Sequence, residues 1–198
     1  MMQLKTAIEQ YWKEEKWDEL LTTAQTGLKK DPESAFLWAS YAIAHREKGN
    51  IRAALGGFQR ALSYENCPEY RFSYAQLMLV LGEEEQAYPI LVKLVEESFF
   101  LEETMKLLTL CLRGLGRLDE AIAVLQSLPS LSAEMNLLLG HLYRDKGLLT
   151  ESILCYQQGQ KQDPNCPQIC SALQSVLGIY RKKIEGNHMK TQAKERRR

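Results

Sequence analysis

Apolar positions along this chain recur at intervals of three and four, and glycines interrupt that pattern at regular distances. Gly49 stands in "EKGNIRAAL", Gly82 in "VLGEEEQAY", Gly116 in "GLGRLDEAI" and Gly147 in "DKGLLTESI", at spacings of 33, 34 and 31 residues. Five positions after each glycine comes a small residue (Ala54, Ala87, Ala121, Ser152), and four beyond that a large apolar one (Phe58, Leu91, Leu125, Tyr156). Before each glycine sit paired side chains at helical spacing: Tyr41 and His45, Tyr74 and Met78, Leu108 and Leu112, Leu139 and Tyr143. A looser copy opens the chain with Ala7, Tyr11, Trp17, Leu20, Ala24 and Pro32, and its glycine slot holds Glu15.

This pattern predicts helical hairpins. One apolar stripe precedes each glycine and another follows it, and glycine ends the first helix because it adopts a left-handed conformation cheaply. The small residue lets the two helices approach, and the large one fills the space a turn later. "KKDPES" and "KQDPNC" stop second helices, since proline cannot continue them. Pro129 falls inside the fourth second helix, which should be about a turn short. After Cys166, "PQICSALQSVLGIYRKKI" reads as one more amphipathic helix, with Ile169, Leu173, Val176, Leu177 and Tyr180 on one side. Such a helix covers the apolar face that a final repeat leaves open.

The units resemble the tetratricopeptide repeat (TPR). Trp38, Tyr41, Ala42, Ala54 and Phe58 of the second copy follow that pattern, with His45 in a tyrosine slot. Leu139, Gly140, Tyr143, Tyr156 and Pro164 of the fifth follow it too, with Ser152 in the alanine slot. The expected fold is all-α: five stacked helix-turn-helix repeats over 1–34, 35–67, 68–101, 102–132 and 133–166. A capping helix over 167–185 completes a single domain, and a basic disordered tail follows over 186–198.

The resemblance implies a right-handed superhelix whose first helices line a concave groove. The side chains expected there are Phe36, Ala39, Ile43 and Arg46 from the second copy and Phe72, Gln76 and Leu79 from the third. The fourth copy supplies Lys106, Leu110 and Arg113, and the fifth Leu137, His141 and Arg144. Phe72 and Leu110 are expected at its centre. Family members with a carboxylate clamp hold a C-terminal peptide through lysines, asparagines and an arginine. Lys5 matches the first clamp position here, but Glu9 and Ser40 replace asparagines. An apolar groove suits an amphipathic helix or an extended segment with hydrophobic anchors.

Composition narrows the picture. Hydrophobic content of 45% and charged content of 25% are ordinary for a folded chain. The formal net charge is zero. From Gly186 onward, however, Lys190, Lys194, Arg196, Arg197 and Arg198 stand against Glu195 alone. No field of the whole molecule would gather nucleic acid. The acids Glu9, Glu14 and Glu15 interrupt any signal-peptide core, and the longest apolar run, near "LMLVL", is far short of a membrane span. Five cysteines without framework spacing fit a reducing, cytoplasmic compartment.

Candidate chemistry is sparse. "LGHLYRDKGLLTESILCYQ" contains His141, Asp145, Ser152 and Cys155, the side-chain types of a nucleophilic triad. Ser152 occupies the packing slot, and Cys155 belongs to a different helix from His141, so the stretch reads as a repeat unit rather than an active site. Cys166 and Cys170 lack a second ligand pair for zinc. "RGLGRL" reads as a helix terminus, and the acids of "EEEQ" suit a helix start. No catalysis, cofactor, metal, small-molecule substrate or specific nucleic acid is expected.

The expected function is an adaptor or chaperone that shelters a hydrophobic segment of a client protein, somewhat like the small TPR chaperones of bacterial secretion systems. The alternative is a scaffold subunit of a larger assembly. Homo-oligomers are expected through the first repeat, which has no equivalent of the C-terminal cap.

Overall fold

A computed structural model describes the backbone of residues 2–195 and the side chains of residues 4–186. Eleven helices follow one another, with no strand among the described residues. They are α1 (Met2–Lys13), α2 (Trp17–Leu28), α3 (Ala35–Glu47), α4 (Ile51–Tyr64), α5 (Pro68–Val80), α6 (Glu84–Glu96), α7 (Leu101–Gly114), α8 (Leu118–Gln126), α9 (Ala133–Asp145), α10 (Leu149–Gln162) and α11 (Pro167–Glu195). Odd-numbered helices α1 to α9 are the first helices of the five hairpins. Contacts divide the chain into two compact units, Met1–Leu115 and Gly116–Arg198. The division falls between the two helices of the fourth hairpin: α7 packs on α6 and α8 packs on α9.

The hairpin turns follow from backbone geometry. Gly49, Gly82, Gly116 and Gly147 all have positive φ, between 72° and 77°. At the first of them, the Gly49 N–H donates to the Arg46 carbonyl at 2.9 Å and the Asn50 N–H to the His45 carbonyl at 2.8 Å. These two crossed bonds are a Schellman motif, which satisfies carbonyls the helix end would otherwise orphan. Glu15, in the glycine slot of the first hairpin, has φ 54°, and its turn has the same pair of bonds, from its own N–H to the Trp12 carbonyl and from the Lys16 N–H to the Tyr11 carbonyl. Ser98 does likewise after α6, with φ 55°. Elsewhere Ser34 and Ser132 cap α3 and α9 by accepting from Leu37 N and Met135 N, and Pro68 occupies the first turn of α5.

In the hairpins α3–α4, α5–α6 and α9–α10 the turn sets two helices against one another at the small slot. Ala54, Ala87, Ala121 and Ser152 are fully buried, and so are their large partners Phe58, Leu91, Leu125 and Tyr156. Ser152 satisfies its hydroxyl by donating to the Gly140 carbonyl at 2.8 Å. Gly140 itself faces the Tyr156 ring so closely that an added Cβ would lie 2.3 Å from it. The α8 helix has nine residues against fourteen in α4 and α10, the shortening that Pro129 imposes.

In unit 1 the core joins Ile8, Leu20, Leu37 and Ala44 to one side of α3, and Ala42, Ala54, Phe58, Ala61 and Leu77 to the other. In unit 2, α11 lays Ala172, Leu173 and Val176 against Leu149 and Tyr156, as a cover for the fifth hairpin requires. The helix runs on to Glu195, past the expected end at 185. The side chains of the basic tail beyond Gly186, and residues 196–198 altogether, lie outside the described residues.

Replacing Glu15 by glycine relieves a side chain held in the left-handed region and should raise unfolding free energy by about 0.5–1 kcal/mol, measured by denaturant titration. Ala54→Leu overpacks the second hairpin and should cost about 1–3 kcal/mol in the same experiment. Gly140→Ala should destabilise by a similar amount, and combining it with Tyr156→Leu should recover part of the loss, because the ring it strikes is then gone. Additive losses in that pair would show that the ring is not what Gly140 accommodates.

Candidate functional site

Three first helices of unit 1 enclose a cavity of about 280 Å³. From α1 come Ile8, Glu9 and Trp12, from α3 Phe36, Ala39, Ser40, Ile43 and Arg46, and from α5 Glu69, Tyr70 and Ser73. Leu20 and Phe58, on the second helices, also reach it. Its lining is mostly apolar and aromatic, with polar groups confined to a few positions, the usual make-up of a recognition pocket. Burial pushes the Tyr70 phenol up to about 12, so it stays neutral and serves as a hydrogen-bonding group on an apolar wall.

A second, more open trough of about 690 Å³ follows along the same helices. Gln76, Leu77, Leu79 and Val80 of α5 meet Leu107 and Leu110 of α7 there, with Ile51 and Glu84 contributing from α4 and α6. Arg46 lines both spaces. Its guanidinium is held by its neighbour Glu47, whose Oε1 accepts from Nε and Nη2 at 2.8 Å. Leu110 is 39% exposed and Val80 67%, an apolar surface that helix packing leaves uncovered.

Seven of the groove residues named from the sequence therefore line these two spaces: Phe36, Ala39, Ile43, Arg46, Gln76, Leu79 and Leu110. Ala39 does so only through its floor, being 4% exposed. Phe72 lines neither. Its ring packs edge-on against Phe99 and Phe100, at 6.0 and 5.9 Å between centroids, in the loop before α7. Phe100 is itself held at φ 38°. Lys106 and Arg113 are half-buried on α7 outside both spaces.

In unit 2 the expectations shift further. Leu137 is packed into the cluster that α11 forms, and His141 directs Nδ1 to the Tyr156 hydroxyl at 2.7 Å. Arg144 donates to Asp145 at 3.3 Å. Leu137 and His141 thus belong to cap and hairpin packing, while Arg144 pairs with its own neighbour on α9.

Trp12, Tyr70 and Ser73 were not anticipated, although a signal for part of this existed. The 33-residue spacing between Gly49 and Gly82 carries Phe36, Ser40 and Ile43 onto Glu69, Ser73 and Gln76, all of which line the two spaces. The same shift carries buried Ala39 onto Phe72.

The four triad-type residues do not form a catalytic arrangement. His141 meets Tyr156, Ser152 donates to a backbone carbonyl, and burial, with Glu151 nearby, pushes the Cys155 thiol up to about 11. A nucleophilic thiol needs the opposite shift. Among the described residues no three of His, Cys, Asp and Glu are grouped to hold a metal ion, and no helix is long and apolar enough to cross a membrane.

The sequence model of the tetratricopeptide repeat matches residues 133–166, the fifth hairpin. No curated protein matches the sequence significantly. Among solved structures, MamA from Desulfovibrio magneticus RS-1 is similar with a TM-score of 0.77 at 15% identity, covering 84% of this chain and 96% of that one. YrrB, described as a TPR protein with an unusual peptide-binding site, gives 0.74 at 18%, with 83% and 87% covered. A thermophilic TPR protein from Thermus thermophilus gives 0.63 at 19%, with 89% and 98% covered. Identities this low carry the fold and not the ligand. The glycine-turned hairpins, the small packing slots and these matches agree: the fifth hairpin is a tetratricopeptide repeat by sequence, and the chain has the tetratricopeptide-repeat fold.

Proposed function

We propose that this chain is a non-catalytic protein-interaction module, an adaptor or chaperone that receives an apolar segment of a protein partner along the first helices of unit 1. The observation that carries this reading is the largely apolar, solvent-open cavity between α1, α3 and α5, which continues past Arg46 into the trough on α5 and α7. Helix packing alone gives no reason to leave Trp12, Val80 and Leu110 uncovered beside it. A peptide-binding site is what YrrB, of the same fold, is described as having. The five free cysteines suit a reducing, cytoplasmic setting.

A scaffold role has its own support. Leu154 of α10 is 61% exposed, and Ile179 and Ile184 of α11 are 46% and 41% exposed. These apolar side chains of unit 2 suit a fixed contact within an assembly. Self-association through the first repeat would involve Trp12, which is 52% exposed.

Photo-crosslinking in the native cell separates these readings. A crosslinking amino acid at Gln76 should trap a partner chain if the trough is the docking site, and one at Leu154 should trap it if the scaffold reading holds. With the partner identified, Ser73→Trp, which fills the cavity, together with Leu110→Glu should weaken binding by about 10²-fold. Unfolding free energy should change by less than the ~2–5 kcal/mol of a core truncation. Unchanged affinity in that double variant would remove the cavity and trough from the account.

A further inference from the structure

The cavity between α1, α3 and α5 carries an uneven distribution of charge. Glu9 and Glu69 stand exposed at its edge, one on α1 and one on α5. Neither carboxylate has an ion-pair partner among the described residues, whereas the cation lining the cavity, Arg46, is already held by Glu47. Lys5 stands 5.5 Å from the centroid of the Phe36 ring and lines a neighbouring cavity with Glu65 instead of this one. Glu84 adds a further carboxylate in the trough beyond Arg46. Below the rim the walls are apolar and aromatic: Ile8, Trp12, Phe36, Ile43, Phe58 and Tyr70.

From this arrangement, and resting on the docking reading above, we infer that the partner segment presents an aromatic or branched aliphatic anchor flanked by lysine or arginine. The anchor enters between α1, α3 and α5, and the flanking cations meet Glu9 and Glu69. Placing opposite charge against two unpaired carboxylates is favourable, while an acidic segment would be repelled by both. The exposed indole of Trp12 gives a flanking guanidinium or ammonium an aromatic face to lie on. The aliphatic stem of such a residue can also cover apolar wall while its head stays at the wet rim. A groove with this charge pattern selects against the free carboxylate that a lysine-lined groove would hold, and the cause is the acid at positions 9 and 69.

The test uses the full chain and a displayed library of random dodecapeptides. Peptides are selected on the wild type and depleted on Ser73→Trp, which retains only those that need the open cavity. Their dissociation constants are then measured against the wild type and against Glu9→Lys/Glu69→Lys, in which both substitutions are at exposed positions. Cavity-dependent peptides should carry lysine or arginine within about three positions of an aromatic or branched residue. Their affinity should fall about tenfold or more on the double charge reversal and should weaken as salt is raised. Cavity-dependent peptides with acidic or neutral flanks, or with affinity indifferent to the reversal, would overturn the charge inference and leave apolar docking standing. A selection that yields no cavity-dependent peptide would overturn both.

Discussion

Everything in this chain hangs on a left-handed residue between two helices. At Gly49, Gly82 and Gly147 the reversal is locked by crossed hydrogen bonds from the glycine's own N–H and the next one to carbonyls of the preceding turn. That motif fixes both the place where the first helix stops and the direction in which the second sets out. Glu15 and Ser98 occupy the same geometry without glycine's freedom, so the turn is required strongly enough to hold an ordinary side chain in it. Where the turn pairs its two helices, as at Gly49, Gly82 and Gly147, the two stripes face each other and the residue five positions on is driven into the interface. Only a small side chain fits there, hence Ala54, Ala87 and Ser152, all fully buried.

The cavity and trough of unit 1 are a by-product of that repetition. A first helix that uses one side to meet its own second helix, and its flanks to meet neighbouring hairpins, keeps a remaining arc that is only partly covered. In α3 and α5 that arc is occupied by Phe36, Ser40 and Ile43 and, one repeat on, by Glu69, Ser73 and Gln76. Within the cavity between α1, α3 and α5, side chains far apart in sequence thus converge with no loop built for the purpose. What differs between repeats, such as Trp12 on α1 or Tyr70 on α5, gives the surface its chemistry.

The same logic disarms the triad-like stretch of the fifth hairpin. His141 and Tyr156 bridge first and second helix, and Ser152 closes onto the carbonyl of Gly140, the residue whose missing side chain admits the Tyr156 ring. Reactive residue types stand close in sequence because a repeat needs small, aromatic and hydrogen-bonding side chains at fixed offsets. His141 and Ser152 are already engaged in holding two helices together, and the Cys155 thiol is pushed away from reactivity by burial.

The sequence by itself determined the helices, their turns and their packing slots, because these depend on neighbours within about one repeat. Glycine conformation, proline exclusion and the three-to-four spacing are local constraints, and even the shortened α8 was legible from Pro129. The groove was legible only in part. Periodicity shows which stripe of a first helix meets its partner, but the other arc is shared between open surface and contacts with adjacent hairpins. Tertiary structure decided that division. It packed Phe72 against Phe99 and Phe100 and drew Leu137 under α11, while Tyr70 became a cavity wall. Each outcome depends on the size and backbone conformation of residues elsewhere in the chain, a loop held at positive φ in one case and a C-terminal helix in another, and no local pattern encodes where those neighbours will lie.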